Sequence, residues 1–288
     1  MEGGGGADAA AAVRRGRLGV ALLDWWDEAG RDLPWRRTRD PWAVLVSELM
    51  LQQTQVPRVV PKYTAFVDRF PTPASCAAAP VGDVVRLWSG LGYNRRAVNL
   101  HRCATAAVER HDGRLPDSLD DLLALPGIGP YTARAVLAFA FERDVGVLDV
   151  NAARVLGRAW SVTTQADADA VVPPGSGWAW NQAVLDLGAT RLHSAGAPLR
   201  GLPVGRRLPL ARRRRSRPSA AGRQSRFEGS ERQGRGRLVA ALAAGPVPLD
   251  GIDVAAGWPG ESARAQAALD SLVADGLAVV RDGAGRLP

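Results

Sequence analysis

Cysteine is scarce in this chain of 288 residues: there are two, Cys76 and Cys103. Two cysteines cannot build a disulfide framework, and alone they cannot ligate a zinc ion or an iron–sulfur centre, so no metal-binding residue is assigned. Long apolar runs are missing as well. Val44-Leu45-Val46 is broken at once by Ser47 and Glu48, far short of the roughly 18 apolar residues that argue for a membrane span. The start, Met1 to Ala12, has no basic segment followed by an apolar core, as a secretory signal would. A cytoplasmic protein with no membrane partner is expected. Strand-like alternation is nearly absent too, which leaves helix as the dominant element.

Negative charge also has a gap. The formal net charge is +8, but Arg191 to Phe227 holds eleven Arg and no Asp or Glu, so that stretch supplies +11 and leaves −3 for the rest. Basic chains usually partner polyanions, but this excess sits in one segment and says nothing for the remainder. With 46% hydrophobic and 23% charged residues over its 288 positions, the chain reads as globular protein of one large or two modest domains.

Apolar residues recur at helical spacing. Leu18, Ala21, Leu22, Trp25 and Trp26 form the stripe of an amphipathic helix. Asp40-Pro41 offers an N-cap and a first-turn proline to a second helix, where Trp42, Leu45, Val46, Leu49 and Met50 repeat the stripe. Further helices are predicted over Pro57 to Phe70, Val81 to Ser89, Arg95 to Arg110, Ser118 to Leu125, Tyr131 to Phe141, Asn151 to Trp160 and Trp178 to Leu187. Residues 1–15 read as a disordered start, 16–190 as an all-α domain and 191–227 as a disordered Arg-rich linker. Residues 228–288 read as a small winged-helix-like unit: helices over Gly236 to Ala244 and Glu261 to Asp275, then a hairpin from Leu277 to Val280 and Asp282-Gly283.

Three places could carry chemistry. Glu48 lies off the apolar stripe, with Val44, Leu45, Leu51 and Gln52 one turn away and no Lys or Arg among them. Apolar surroundings raise a carboxyl pKa, as a general acid requires, although a Glu at the edge of a buried face is the plain alternative. The polar run Gln52-Gln53-Thr54-Gln55 ends the helix and could fill a duplex position or read base edges. Leu125-Pro126-Gly127-Ile128-Gly129-Pro130 is a helix–hairpin–helix signature, whose glycine turn lets backbone N–H groups approach a phosphate; a turn between packed helices is the simpler reading. Asp149 precedes a helix as an N-cap, and amide donors would keep it ionised. A protonated Glu and an ionised Asp are the pair that glycoside cleavage uses.

Ser47 to Val56, Gly90-Leu91-Gly92-Tyr93, Leu125 to Gly129 and Leu148-Asp149-Val150-Asn151 occur together and in order. Over about residues 16–190 the combination resembles the adenine DNA glycosylases (the MutY family), in the helix–hairpin–helix superfamily that includes endonuclease III. The resemblance implies a two-lobed helical fold and a base-excision repair enzyme that extrudes adenine mispaired with 8-oxoguanine or guanine from double-stranded DNA and hydrolyses its N-glycosidic bond. It implies Glu48 as general acid on the five-membered ring of adenine, Asp149 as stabiliser of the sugar cation, and Tyr131 and Asn151 as assistants. It further implies Arg31, Leu33 and Trp35 in an adenine pocket, Gln53, Thr54 and Tyr93 at the gap and opposing base, and Gly127 and Gly129 on a backbone phosphate. Bifunctional relatives carry a Schiff-base lysine where this chain has Tyr131, and its one lysine is Lys62, so a monofunctional enzyme is expected. A monomer, nucleoid-associated in a bacterium, is expected.

The chain departs from that family in two ways. The family holds a 4Fe–4S cluster through four cysteines, spaced C-x6-C-x2-C-x5-C, after the helix that here ends at Leu187 to Thr190; no cysteine lies there, so no cofactor is expected. Two compensating reading-frame shifts, or a natural cluster-free variant with a basic DNA-binding linker, would each produce the Arg-rich stretch. Residues 236–288 do not resemble the Nudix-like module by which many members recognise 8-oxoguanine. The alternatives are a catalytically inactive helix–hairpin–helix DNA-binding protein and a mismatch glycosylase of other base specificity.

Overall fold

A computed structural model describes residues 4–192 and 227–288, with side chains from residue 16 onward. The expected Arg-rich linker, 191–227, lies outside the described residues except for Arg191, Leu192 and Phe227. In chain order the first stretch forms α1 (Gly4–Ala29), α2 (Pro41–Leu51), α3 (Val56–Arg69), α4 (Pro73–Ala77), α5 (Val81–Trp88), α6 (Arg95–Arg110), α7 (Leu119–Leu123), α8 (Pro130–Phe139), α9 (Val150–Ala159), α10 (Gln165–Ala170) and α11 (Gly177–Thr190). The second forms α12 (Glu231–Ala244), β1 (Val247–Pro248), α13 (Ile252–Ala256), α14 (Ser262–Ala274), β2 (Val279–Arg281) and β3 (Ala284–Arg286).

The all-α reading of 16–190 holds, and α6 spans the predicted residues. Three differences have local causes. First, α1 begins at Gly4 rather than near residue 16, because the alanine-rich run before Val13 favours helix over the disordered start expected there. Second, α2 is buried from Trp42 to Met50 on every side, not along one stripe. Third, α4, α10 and α13 have five or six residues each, too short for an apolar period to register. Two of these carry capping boxes, Thr72 with Ser75 and Thr164 with Asp167, which are visible in sequence.

The described residues divide into two compact units, one within Met1–Val44, Asp117–Leu119 and Gly129–Arg217, the other within Leu45–Pro116, Asp120–Ile128 and Pro218–Pro288. In the first unit, Leu18 and Leu22 of α1 pack with Val155 and Leu156 of α9 and Val184 and Leu187 of α11. Trp160 meets Trp180 edge-on at 5.0 Å between centroids. In the second unit, Phe66 of α3 stands edge-on to Phe70 and to Trp88 of α5.

The C-terminal elements belong to this second unit. Leu238, Leu242, Ile252, Leu269 and Leu272 fill their core. Gly234 lets α12 lie on Trp258, since a Cβ there would come within 2.1 Å of the indole ring. The antiparallel sheet has the order β1-β3-β2, with Val279 opposite Arg286 and Arg281 opposite Ala284. Asp282 and Gly283 both take positive φ (51° and 69°), as a two-residue hairpin turn requires. The two expected helices and the final hairpin are present, and β1 and α13 between them were not expected. The segment is tied to α5 by Gly82 N donating to Pro288 O at 3.0 Å and Arg86 Nε to Ala243 O at 3.1 Å.

Candidate active site

Of the residues singled out in sequence, Arg31, Leu33, Trp35, Gly129, Tyr131, Asp149 and Asn151 lie in the first unit, and Glu48, Gln53, Thr54, Tyr93 and Gly127 in the second. In the first unit Asp149 caps α9 as expected: its Oδ1 accepts from the amides of Asn151 at 2.8 Å and Ala152 at 2.7 Å. The other oxygen, Oδ2, accepts from Asn151 Nδ2 at 3.0 Å. Arg154, one turn on, donates to Asn151 Oδ1 at 3.2 Å and to the carbonyl of Leu192 at 2.7 Å. Arg154 thus orients Asn151, which in turn orients the carboxylate. Gly188 makes room for this, because a Cβ there would come within 2.8 Å of Asn151. Tyr131 is the second residue of α8 and half-buried.

The loop from Arg31 to Arg36 is organised by a residue the sequence did not single out. Asp186 of α11, 1% exposed, accepts from Arg31 N (3.0 Å) and Nε (2.7 Å), from both terminal nitrogens of Arg36 (2.8 Å each), and from Trp26 Nε1 (3.3 Å). Burial works to raise the Asp186 pKa, but Arg36 and Arg31 together outweigh it and hold the carboxyl below its ordinary range. Leu33 and Trp35, between the two arginines, are buried.

In the second unit Glu48 is buried, at 6% exposure. Helix α2 ends in the turn that carries Gln53 and Thr54, and Gln53 is left-handed at φ 54°. Thr54 Oγ1 donates to the carbonyl of Leu91 at 3.1 Å, so this turn lies against the Gly90 to Tyr93 turn. Tyr93 is also left-handed (φ 48°) and 47% exposed. A second residue that sequence reasoning missed, Arg96 of α6, sits beneath both turns and donates to carbonyls in each. The sequence held one hint: a cation in the first turn of a helix opposes the helix dipole.

The two hairpin glycines differ. Gly127 has φ 79°, and a Cβ there would come within 2.7 Å of Asn99, so glycine is required for the fold alone. Gly129 is extended, with open space where a side chain would be, and leads into Pro130 at the start of α8. Cys76 and Cys103 are both buried, and burial pushes each thiol up to about 12. Metal ligation needs thiolates, and two suppressed thiols do not fit a four-thiolate cluster.

Fold and hairpin together define a class: residues 46–172 match the HhH-GPD superfamily base excision DNA repair protein family. A thermostable thymine-DNA glycosylase structure superposes with a TM-score of 0.63 at 26% identity, over 67% of this chain and 94% of that one. An endonuclease III–DNA complex superposes at 0.56 and 17% identity, which bears on fold alone. Within the class, the adenine DNA glycosylase of Mycolicibacterium smegmatis is 41% identical over 273 residues, covering 90% of this chain and 91% of its own. The human adenine DNA glycosylase is 40% identical over 190 residues, 59% of this chain and 35% of that one. The chain belongs to the adenine DNA glycosylase family.

Proposed function

We propose that this enzyme binds double-stranded DNA and hydrolyses the N-glycosidic bond of adenine mispaired with 8-oxoguanine or guanine. In this reading Glu48 gives its proton to the five-membered ring of the extruded base as the bond to the sugar breaks and its electron pair leaves with adenine. Asp149 stabilises the cation left on the deoxyribose until water adds to that carbon and releases a proton, which restores the acid. Tyr131 and Asn151 assist at the same sugar. Arg31, Leu33 and Trp35 line the adenine pocket, Gln53, Thr54 and Tyr93 engage the vacated position and the opposing base, and the turn of Gly127 and Gly129 takes a backbone phosphate.

The observation that carries the reading is the Asp149 carboxylate, held by two α9 amides and by the amide of Asn151, which Arg154 fixes in turn. A carboxylate aligned by so many donors suits a developing positive charge. Glu48 favours a purine, because adenine is a poor leaving group without protonation. Tyr131 offers no amine for a Schiff base, so the enzyme is read as monofunctional; its two buried cysteines cannot supply four thiolates, so it is read as working without an iron–sulfur cluster.

The test is a set of duplexes carrying one labelled A:8-oxoguanine, A:G, T:G or U:G pair, treated with alkali after incubation. Cutting is expected at adenine, and Glu48→Gln should lower the rate by about 10²–10⁴ while sparing binding. Cutting at T:G instead, or full activity in Glu48→Gln, would overturn the assignment. Borohydride is expected to trap no covalent enzyme–DNA adduct in good yield.

A further inference from the structure

Arg96 is a buried cation whose partners are carbonyl oxygens, a hydroxyl and two ring faces rather than a carboxylate. One terminal nitrogen donates to the carbonyls of Leu49 (2.6 Å), Met50 (3.1 Å) and Gln52 (2.6 Å) at the end of α2. The other donates to Thr54 Oγ1 (3.2 Å) and to the carbonyls of Leu91 (3.4 Å) and Gly92 (2.8 Å), and Nε donates to Tyr93 O (3.3 Å). The guanidinium carbon also lies 5.3 Å from the Trp88 ring centroid and 5.7 Å from that of Tyr93. A charge placed against the dipole of its own helix is thus directed at the negative C-terminal end of α2.

Each of the two turns held in this way contains a non-glycine residue in the left-handed region, Gln53 and Tyr93. Such conformations persist only where surrounding bonds over-determine them, and they gather where a side chain must be presented at a set angle. Extruding a base means unpairing and unstacking it, so the group that fills the gap must enter without first being ordered. A planar guanidinium reaches carbonyls on two separate turns at once, whereas a lysine ammonium is a point donor that cannot span them.

We infer that Arg96 is a positioning residue for base extrusion: its guanidinium locks the Gln52–Thr54 turn and the Leu91–Tyr93 turn into one platform, so that Gln53, Thr54 and Tyr93 meet the duplex as a preset wedge. This rests on the reading of those three side chains as duplex-contacting groups. The platform acts on extrusion and not on the bond cleavage that follows, which gives it a distinct kinetic signature.

The test compares single-turnover excision by the full chain on two substrates. In one, adenine is paired with 8-oxoguanine; in the other it faces a tetrahydrofuran abasic analogue and is already unpaired. Arg96→Lys should slow excision on the paired substrate about 10-fold or more and on the unpaired one by no more than about threefold. Arg96→Gln, which keeps a planar donor group of shorter reach and leaves the three wedge side chains intact, should show the same selective loss, and decides the matter if Arg96→Lys does not fold. Tyr93→Ala separates the two levels of the argument. If Tyr93→Ala shows the selective loss and the Arg96 variants do not, or lose equally on both substrates, the inference falls. If Tyr93→Ala has no effect on either substrate, the reading of the wedge falls and takes the inference with it.

Discussion

Replacing Asp186 by asparagine removes one charge from a site where two guanidiniums, one backbone amide and one indole N–H converge on a carboxylate with 1% exposure. Asparagine keeps one acceptor oxygen but turns its NH2 group toward donors. Deleting one member of a buried pair costs about 3–5 kcal/mol, chiefly from the charge left unpaired. Arg36 is 7% exposed and cannot regain water, whereas Arg31 is 33% exposed and can, so the lower end applies. At about 2–4 °C per kcal/mol for a chain of this size, about 3 kcal/mol lowers the melting temperature by about 6–12 °C at pH 7. The pH dependence gives a second check. The Asp186 pKa is lowered in the folded protein, so its contribution is present above the unfolded value of about 3.9 and is lost as pH falls through the folded value. Melts followed by circular dichroism should show a wide gap between wild type and variant at pH 7 that closes below about pH 4. A gap under about 2 °C at pH 7, or one as wide at pH 3 as at pH 7, would refute the reasoning.

Other expectations concern single sites. Gly127→Ala should destabilise by about 1–3 kcal/mol through its positive φ and its contact with Asn99, whereas Gly129→Ala should melt within about 0.5 kcal/mol of wild type yet bind duplex more weakly in fluorescence anisotropy at fixed salt. Equal melting losses in the two would contradict the division of roles. Arg154→Met should slow excision about 10-fold at unchanged duplex affinity, because Asn151 loses the donor that orients it; an unchanged rate would detach Arg154 from the site. Purified protein should contain no stoichiometric iron and show no brown chromophore, and finding either would mean that ligands other than four thiolates hold a cluster.

Features that rest on neighbours a few residues apart could be read from the chain alone. Asp40 caps α2 through the amide of Ala43 at 2.7 Å, Asp149 caps α9 through amides two and three residues on, and Asp282-Gly283 turns the final hairpin. The stripe of α1, the glycine hairpin and the family motifs are local in the same sense, so helical class and candidate chemistry were open to inspection. The groups that hold the site in shape were hidden. Asp186 meets Trp26 across 160 positions, and Arg96 reaches Leu49 across 47, so nothing beside either residue announces a partner. Even α2 misled, since its apolar period marks one face while its burial reaches all of them. Caps, turns and periodicity arise from bonds within a turn or two of backbone. A buried charge finds its counterpart only after distant segments have packed, and burial then sets how strongly the pair is held.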